Sequence, residues 1–152
     1  MDRKETAIHL FKQGYSCSQA VFTVYAAEGE LDDRRAMRLS SGFGGGMGRT
    51  NGACGVVTGA VMVLGLMYGP SRPNQPEAKE RVYGKVQEFV RRFVARNKSV
   101  LCSELLGCDL SQPEGLSRAK EQMLFVTTCP KYVGDAVEIL EQMLAEDPPK
   151  SN

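Results

Sequence analysis

A chain of 152 residues, of which 42% are hydrophobic, is long enough to bury its own core, so we expect one domain over 1–147 and a disordered tail over 148–152. A net charge of +1 and the absence of tryptophan provide neither a basic field nor stacking platforms, so we expect no nucleic-acid partner. The N-terminal segment has no apolar signal-peptide core, so we expect a cytoplasmic protein.

Hydrophobic periodicity and helix-end signals predict an all-α fold, an irregular bundle arranged around a buried glycine-rich helix. The first two helices each have a capping box, in which Asp2 pairs with Glu5 and Ser16 with Gln19. The predicted helices cover about 3–13, 16–29, 32–41, 54–68, 76–97, 99–107, 117–126 and 130–145. The helix over 76–97 has the clearest pattern, because its apolar residues follow the helical period and its charges match the helix dipole.

The stretch from Gly42 to Gly69 starts as a glycine-crowded turn and continues, after Cys54, as an apolar run. We predict a buried helix here, on which Gly55 and Gly59 form a stripe without side chains that packs within the chain or across a homodimer. The strongly apolar part is shorter than the roughly 20 residues of a membrane span, so no membrane partner is expected. The glycine spacing fits no nucleotide-binding loop.

Four of the five cysteines lie in the first turn of a predicted helix or at its cap. They are Cys17, Cys54, Cys102 and Cys129. Unpaired N–H groups and the positive end of the dipole favour a thiolate at such positions, and thiolates attack disulfides and bind iron or zinc. A single cysteine could be a small buried apolar residue, but four in matching positions are harder to assign to packing. The absence of a C-x-x-C pair weakens an ordinary structural zinc site.

Few other groups are candidates for chemistry. His9 is the only histidine, which removes a His-rich metal site and most general-base schemes, and we expect it to be solvated. Arg49, beside the glycines, could hold an anion, cap carbonyl groups or sit in water. The methionines at 47, 62 and 67 are interpreted as core residues. No Ser/His/Asp set supports a hydrolase.

The sequence resembles the C_GCAxxG_C_C family, whose members are thought to be redox-active and are associated with Fe–S or metal binding. The resemblance covers about 12–143. It rests on residues 14–17 (GYSC), 43–46 (FGGG) and 54–59 (CGVVTG), followed by Cys102 and Cys129. It implies that Cys17, Cys54, Cys102 and Cys129 are the functional set. Val56 replaces the alanine of the motif, and Cys108 lies outside the pattern, which leaves open whether it or Cys102 is the partner.

The leading hypothesis is a redox protein whose four thiolates converge, with an unidentified redox partner protein. Either the thiolates hold an Fe–S cluster or another metal and transfer electrons, or cysteine pairs exchange disulfides without metal. The shared position at helix starts favours metal binding. Backbone amides of the glycines could bond to sulfur and tune its potential, and the candidates are Gly44, Gly45, Gly46, Gly55 and Gly59. The alternative is a non-redox module, either a structural zinc protein or a helical interaction domain.

Overall fold

The computed structural model describes residues 1–150, and its regular secondary structure is helical. The helices are α1 (Arg3–Lys12), α2 (Cys17–Thr23), α3 (Asp33–Ser40), α4 (Gly44–Arg49), α5 (Gly55–Tyr68), α6 (Pro76–Asn97), α7 (Cys102–Leu106), α8 (Pro113–Glu121), α9 (Leu124–Thr127) and α10 (Cys129–Glu146). Residues 1–150 contain no strand, and one isolated antiparallel bridge joins Ala53 to Leu101. The all-α class is confirmed. The predicted tail over 148–152 lies partly outside the described residues.

Both predicted capping boxes are present and set the direction of the first two helices. The Asp2 carboxylate accepts from the Glu5 N–H at 2.7 Å, and the Ser16 N–H donates to the Gln19 side chain at 2.9 Å. The second helix is shorter than predicted. It ends at Thr23, and the chain then tightens into a 3-10 turn over Ala26–Gly29.

The segment α4 departs most from an ordinary helix, because its backbone is left-handed. From Gly45 to Arg49 every φ angle lies between 62° and 72°, including the non-glycine Met47 at 62°. Left-handed backbone costs roughly 1–2 kcal/mol for a residue with a side chain, which is why glycines dominate here. The turn directs the chain back towards the start of α5.

Helix α5 packs its glycine stripe against α2 of the same chain. An added β-carbon on Gly59 would lie 3.1 Å from the Ser18 carbonyl oxygen, so the two backbones approach as closely as side-chain-free residues allow. Eight residues of α5 are buried, whereas Gly65 and Leu66 face solvent, so the helix is not buried on every side as expected. Within residues 1–150, no helix combines the length and apolar character that crossing a membrane requires.

The two longest helices close the main core. Helix α6 has the predicted bounds and buries Phe89 and Phe93, and α10 contributes Val133, Val137 and Leu140 to the same core. The aromatic rings of α6 stack at a centroid distance of 5.9 Å. These helices bury one face each, as their 3.6-residue periodicity predicts.

The region between α6 and α10 differs from the prediction in two places. Helix α7 starts at Cys102, and Ser99 is not its cap but accepts the N–H of Leu101 at 3.0 Å in the preceding turn. The single helix predicted over 117–126 is two helices, α8 and α9, because Met123 adopts a left-handed φ of 55° between them.

Candidate functional site

The four helix-start cysteines line one cavity. Cys17, Cys102 and Cys129 are the first residues of α2, α7 and α10, and Cys54 is the residue that caps α5. All four border a cavity of about 830 Å³, and all are free thiols. Cys108 is also buried, but it packs beside Leu110 and Ala119 and does not line the cavity. Helices from separate parts of the chain therefore bring the four sulfurs to one place.

A short antiparallel backbone pairing joins the segments that contain Cys54 and Cys102. The Cys54 N–H donates to the Val100 carbonyl at 2.7 Å, and the Cys102 N–H donates to the Gly52 carbonyl at 3.1 Å. These bonds flank the bridge between the segments that precede α5 and α7. Two cysteines 48 positions apart in the printed sequence thus start their helices from one paired backbone segment.

Glycine makes room for the sulfur of Cys17. A β-carbon on Gly55 would lie only 2.4 Å from the Cys17 sulfur, and one on Gly44 only 2.5 Å from the Ser16 β-carbon. Real β-carbons do not approach other atoms so closely, so each position needs glycine unless its neighbour moves. The predicted site glycines thereby hold α2 against the starts of α4 and α5.

Cys17 is the one cysteine whose surroundings favour the thiolate. A hydrogen bond from the Cys54 thiol lowers the pKa of Cys17 most, burial opposes that effect, and the N–H groups of Gly45, Ser18 and Gly55 lower the pKa further. The balance lowers the pKa of Cys17 to about 6. At neutral pH the sulfur is therefore mainly ionised, which is the reactive form.

The other three thiols are held in their protonated form. The hydrogen bond to Cys17, followed by burial, raises the pKa of Cys54 well above its usual range. Burial and the nearby charge of Cys17 raise the pKa of Cys102 to about 11, and burial, Cys17 and Cys102 raise that of Cys129 to about 12. These directions run against the expectation of four thiolates, because burial at Cys102 and Cys129, and the hydrogen bond to Cys17 followed by burial at Cys54, outweigh the helix-end effect.

The five predicted site glycines divide into donors and packing residues. Gly45 and Gly55 donate their N–H groups to the Cys17 sulfur. An added β-carbon on Gly46 would lie 2.7 Å from the Cys102 β-carbon, so Gly46 brings the left-handed turn against α7. Gly44 and Gly59 pack against the first turn of α2, outside direct contact with the sulfurs.

Several cavity residues were missed from the sequence. Lys12 and Lys120 lie at the cavity together with Arg49, and Tyr132 projects from α10 and donates its hydroxyl to the Leu105 carbonyl at 2.9 Å. No local motif marks these residues, since they come from separate helices. The solvated state predicted for His9 agrees with its exposed position on α1, outside this cavity. Of the three methionines interpreted as core, Met47 is 44% exposed.

The sulfurs as placed do not form a compact metal site. Within residues 1–150, no three side chains of His, Cys, Asp or Glu are grouped so that they could hold a metal ion. The shared cavity nevertheless puts all four cysteines around one space. The donor chemistry suits a soft metal, whereas the present positions do not suit its coordination.

The family comparison covers most of the chain. A family described as "Putative redox-active protein (C_GCAxxG_C_C)" matches residues 15–143. The chain belongs to the C_GCAxxG_C_C family. No curated protein and no solved structure matches the chain. Of the departures from the C_GCAxxG_C_C pattern, Val56 is buried and lines the cavity, and Cys108 lies outside it. Cys102, and not Cys108, lines the cavity together with Cys17, Cys54 and Cys129.

Proposed function

We propose that this protein is a thiol-based redox protein in which Cys17 and Cys54 cycle between dithiol and disulfide. The observation that carries the proposal is that Cys17 and Cys54 border one cavity, where Gly55, the residue after Cys54, would place a β-carbon 2.4 Å from the Cys17 sulfur. Their pKa values are shifted in opposite directions: Cys54 and three backbone N–H groups lower the pKa of Cys17, and Cys17 and burial raise that of Cys54. One ionised attacker beside one protonated partner is the arrangement that disulfide exchange requires.

The exposure of the two residues agrees with this division of roles. Both border the cavity, and Cys17 is partly exposed, whereas Cys54 is only 7% exposed. The Cys17 thiolate attacks one sulfur of a substrate disulfide and releases the other sulfur as a thiolate. The Cys54 thiol then loses its proton and attacks the Cys17 sulfur, which releases the second substrate thiolate. The protein is oxidised to a disulfide, and the substrate gains two electrons, with one proton from Cys54 and one from solvent.

Cys102 and Cys129 border the same cavity in protonated form. They suit a second cysteine pair, which reduces the Cys17–Cys54 disulfide and is itself oxidised in that later step. Their raised pKa values make them slower attackers than Cys17 near neutral pH. In this scheme all four family cysteines take part, in an order set by ionisation.

Cluster or metal binding is the second candidate function, and the shared cavity is the observation that favours it. If bound, a metal or Fe–S cluster would supply single-electron transfer and would be held by Cys17, Cys54, Cys102 and Cys129. The grouping of the sulfurs favours disulfide exchange, because a shared ion requires them to move closer together.

Anaerobic purification followed by metal analysis, an absorption spectrum and thiol counting separates the candidates. We expect metal-free protein that reversibly loses two thiols to a mild disulfide oxidant, with Cys17 and Cys54 joined in the peptide map. Cys17→Ser should abolish the loss, and the matched control Cys108→Ser should leave it intact. Iron with visible charge-transfer bands, or thiols that resist both oxidant and alkylating reagent, would contradict disulfide exchange.

A further inference from the structure

The cavity beside Cys17 combines apolar walls with an unusual set of charges. Its apolar walls include Phe11, Leu106, Leu110 and Phe125, and its only charged lining residues in the described part of the chain are cationic. Those cations are Lys12, Arg49 and Lys120. They come from the end of α1, the end of α4 and α8, so three separate elements direct positive charge to one opening.

These three cations have no partner among the residues that the structure describes. Within residues 1–150, none of them forms a salt bridge or donates a side-chain hydrogen bond, and all three are exposed. Other basic side chains pair within the chain: Arg3 contacts Glu141 at 2.9 Å, and Arg92 contacts Glu146 at 2.5 Å. The positive charge at the cavity is therefore available to a ligand.

We propose that the substrate of the Cys17 and Cys54 pair is a small organic disulfide that carries negative charges. This inference rests on the proposed function and adds the substrate class. A volume of about 830 Å³ is typical of small-molecule pockets, and apolar walls with a few charges at fixed positions orient such ligands. The anionic groups bind at the cationic rim, while the disulfide bond lies over the Cys17 sulfur.

The chemistry is a two-step exchange between the reduced cysteine pair and the substrate disulfide. The Cys17 thiolate forms a bond to one substrate sulfur and breaks the substrate disulfide, and Cys54 then displaces that half from Cys17. Two anionic thiols leave, and each takes one proton, supplied by the reduced pair and by solvent. A small cellular dithiol must then reduce the disulfide between Cys17 and Cys54 to complete the cycle.

The test compares two aromatic disulfides that differ in charge. Dithiobis(nitrobenzoate) carries a carboxylate on each ring, and dithiodipyridine is uncharged at mildly alkaline pH. The rate of Cys17 modification by each is measured on the reduced protein, with peptide mapping to assign the sulfur. Changing Lys12, Arg49 and Lys120 together to Gln should slow the anionic reagent about tenfold and change the neutral reagent less than about twofold. The neutral reagent controls for any change in Cys17 ionisation.

A matched triple variant removes the same net charge from exposed positions outside the cavity. It carries Arg34→Gln, Arg72→Gln and Lys79→Gln. We expect it to react like the unchanged protein with both reagents. Added salt should likewise slow only the anionic reagent on the unchanged protein, which provides a test that does not depend on the folding of a variant.

Two results overturn these claims separately. If the cavity variant loses reactivity equally with both reagents, or with neither, the cations do not recognise an anionic substrate, although the thiol chemistry stands. If Cys17 of the unchanged protein reacts with neither reagent, the proposed function itself fails.

Discussion

Gly55→Ala provides the sharpest test of how the fold positions the reactive sulfur. The new β-carbon would lie 2.4 Å from the Cys17 sulfur, 3.0 Å from the Ser18 nitrogen and 3.2 Å from the Gly44 α-carbon. The sulfur must move about 1 Å to restore ordinary contact, and backbone atoms on two other sides also crowd the new β-carbon. Overpacking of this kind costs roughly 1–3 kcal/mol, which exceeds the gain of at most about 1 kcal/mol from replacing a helical glycine.

Gly65→Ala is the matched control on the same helix. A β-carbon there meets nothing within 4 Å, so we expect stabilisation of about 0.5–1 kcal/mol from helix propensity alone. The two variants should therefore differ by roughly 1–3 kcal/mol in the free energy of unfolding, or about 3–10 °C in Tm. Denaturant unfolding and thermal melts measure the difference.

The same two variants also report on the site. Because Gly55→Ala displaces the Cys17 sulfur from its N–H donors, the pKa of Cys17 should rise, whereas Gly65→Ala should leave it unchanged. The rate of alkylation as a function of pH measures both values. Equal stability of the two variants with an unshifted Cys17 pKa would refute the packing argument.

Three further predictions use the same assays. Cys54→Ala should raise the pKa of Cys17 from about 6 towards its usual range and slow alkylation at pH 7 by up to about tenfold. Cys54→Ser keeps a hydroxyl donor and should shift the pKa of Cys17 less. Equal shifts in the two variants would contradict the role of the hydrogen bond. Gly46→Ala should destabilise the protein by roughly 2–4 kcal/mol in denaturant unfolding, because φ is 72° and the new β-carbon would lie 2.7 Å from the nearest side chain. Gly48→Ala has a φ of 65°, but its new β-carbon would lie 3.5 Å from the nearest atom. It should therefore lose only roughly 1–2 kcal/mol of stability. Met47→Gly should stabilise the protein by about 0.5–1 kcal/mol, because glycine adopts a φ of 62° without strain, whereas Met47→Ala should not stabilise it. A destabilised Gly variant would mean that the Met47 side chain contributes packing contacts.

Local signals in the sequence predicted a helix well where neighbouring residues alone determine its start or its buried face. The capping boxes at Asp2 and Ser16 and the long period over 76–97 each specify a start or a face without help from the rest of the chain. The placement of cysteines at helix starts was predictable for the same reason. The break at Met123 was not, because no glycine or proline marks it and it depends on tertiary packing.

The ionisation of the cysteines could not be read from helix position. A helix start favours a thiolate at any of the four sites, but desolvation is a property of the folded core. Only Cys17 receives enough N–H and S–H donors to outweigh burial, and two of its N–H donors come from Gly45 and Gly55, which lie far from it in sequence. The handedness of the glycine turn was equally hidden, since glycine permits a left-handed backbone without requiring it.

The distribution of protons in the cavity also yields a prediction about metals. At neutral pH Cys17 is ionised and the other three thiols are protonated, so four-thiolate binding of Zn²⁺ must release about three protons. We therefore expect weak binding near pH 7 and an apparent affinity that rises steeply, by up to about a thousandfold per pH unit, between pH 7 and 9. Zinc titration at several pH values, with proton release followed in weak buffer, measures this slope.

A matched pair of variants completes the metal test. Cys129→Ser should reduce the proton release by about one, and Cys108→Ser should leave it unchanged, because Cys108 lies outside the cavity. Tight binding at pH 7 with little proton release would show that the thiols are already ionised together. The assignment of one attacker and one protonated partner would then be wrong, since disulfide exchange depends on that difference in charge between neighbouring sulfurs.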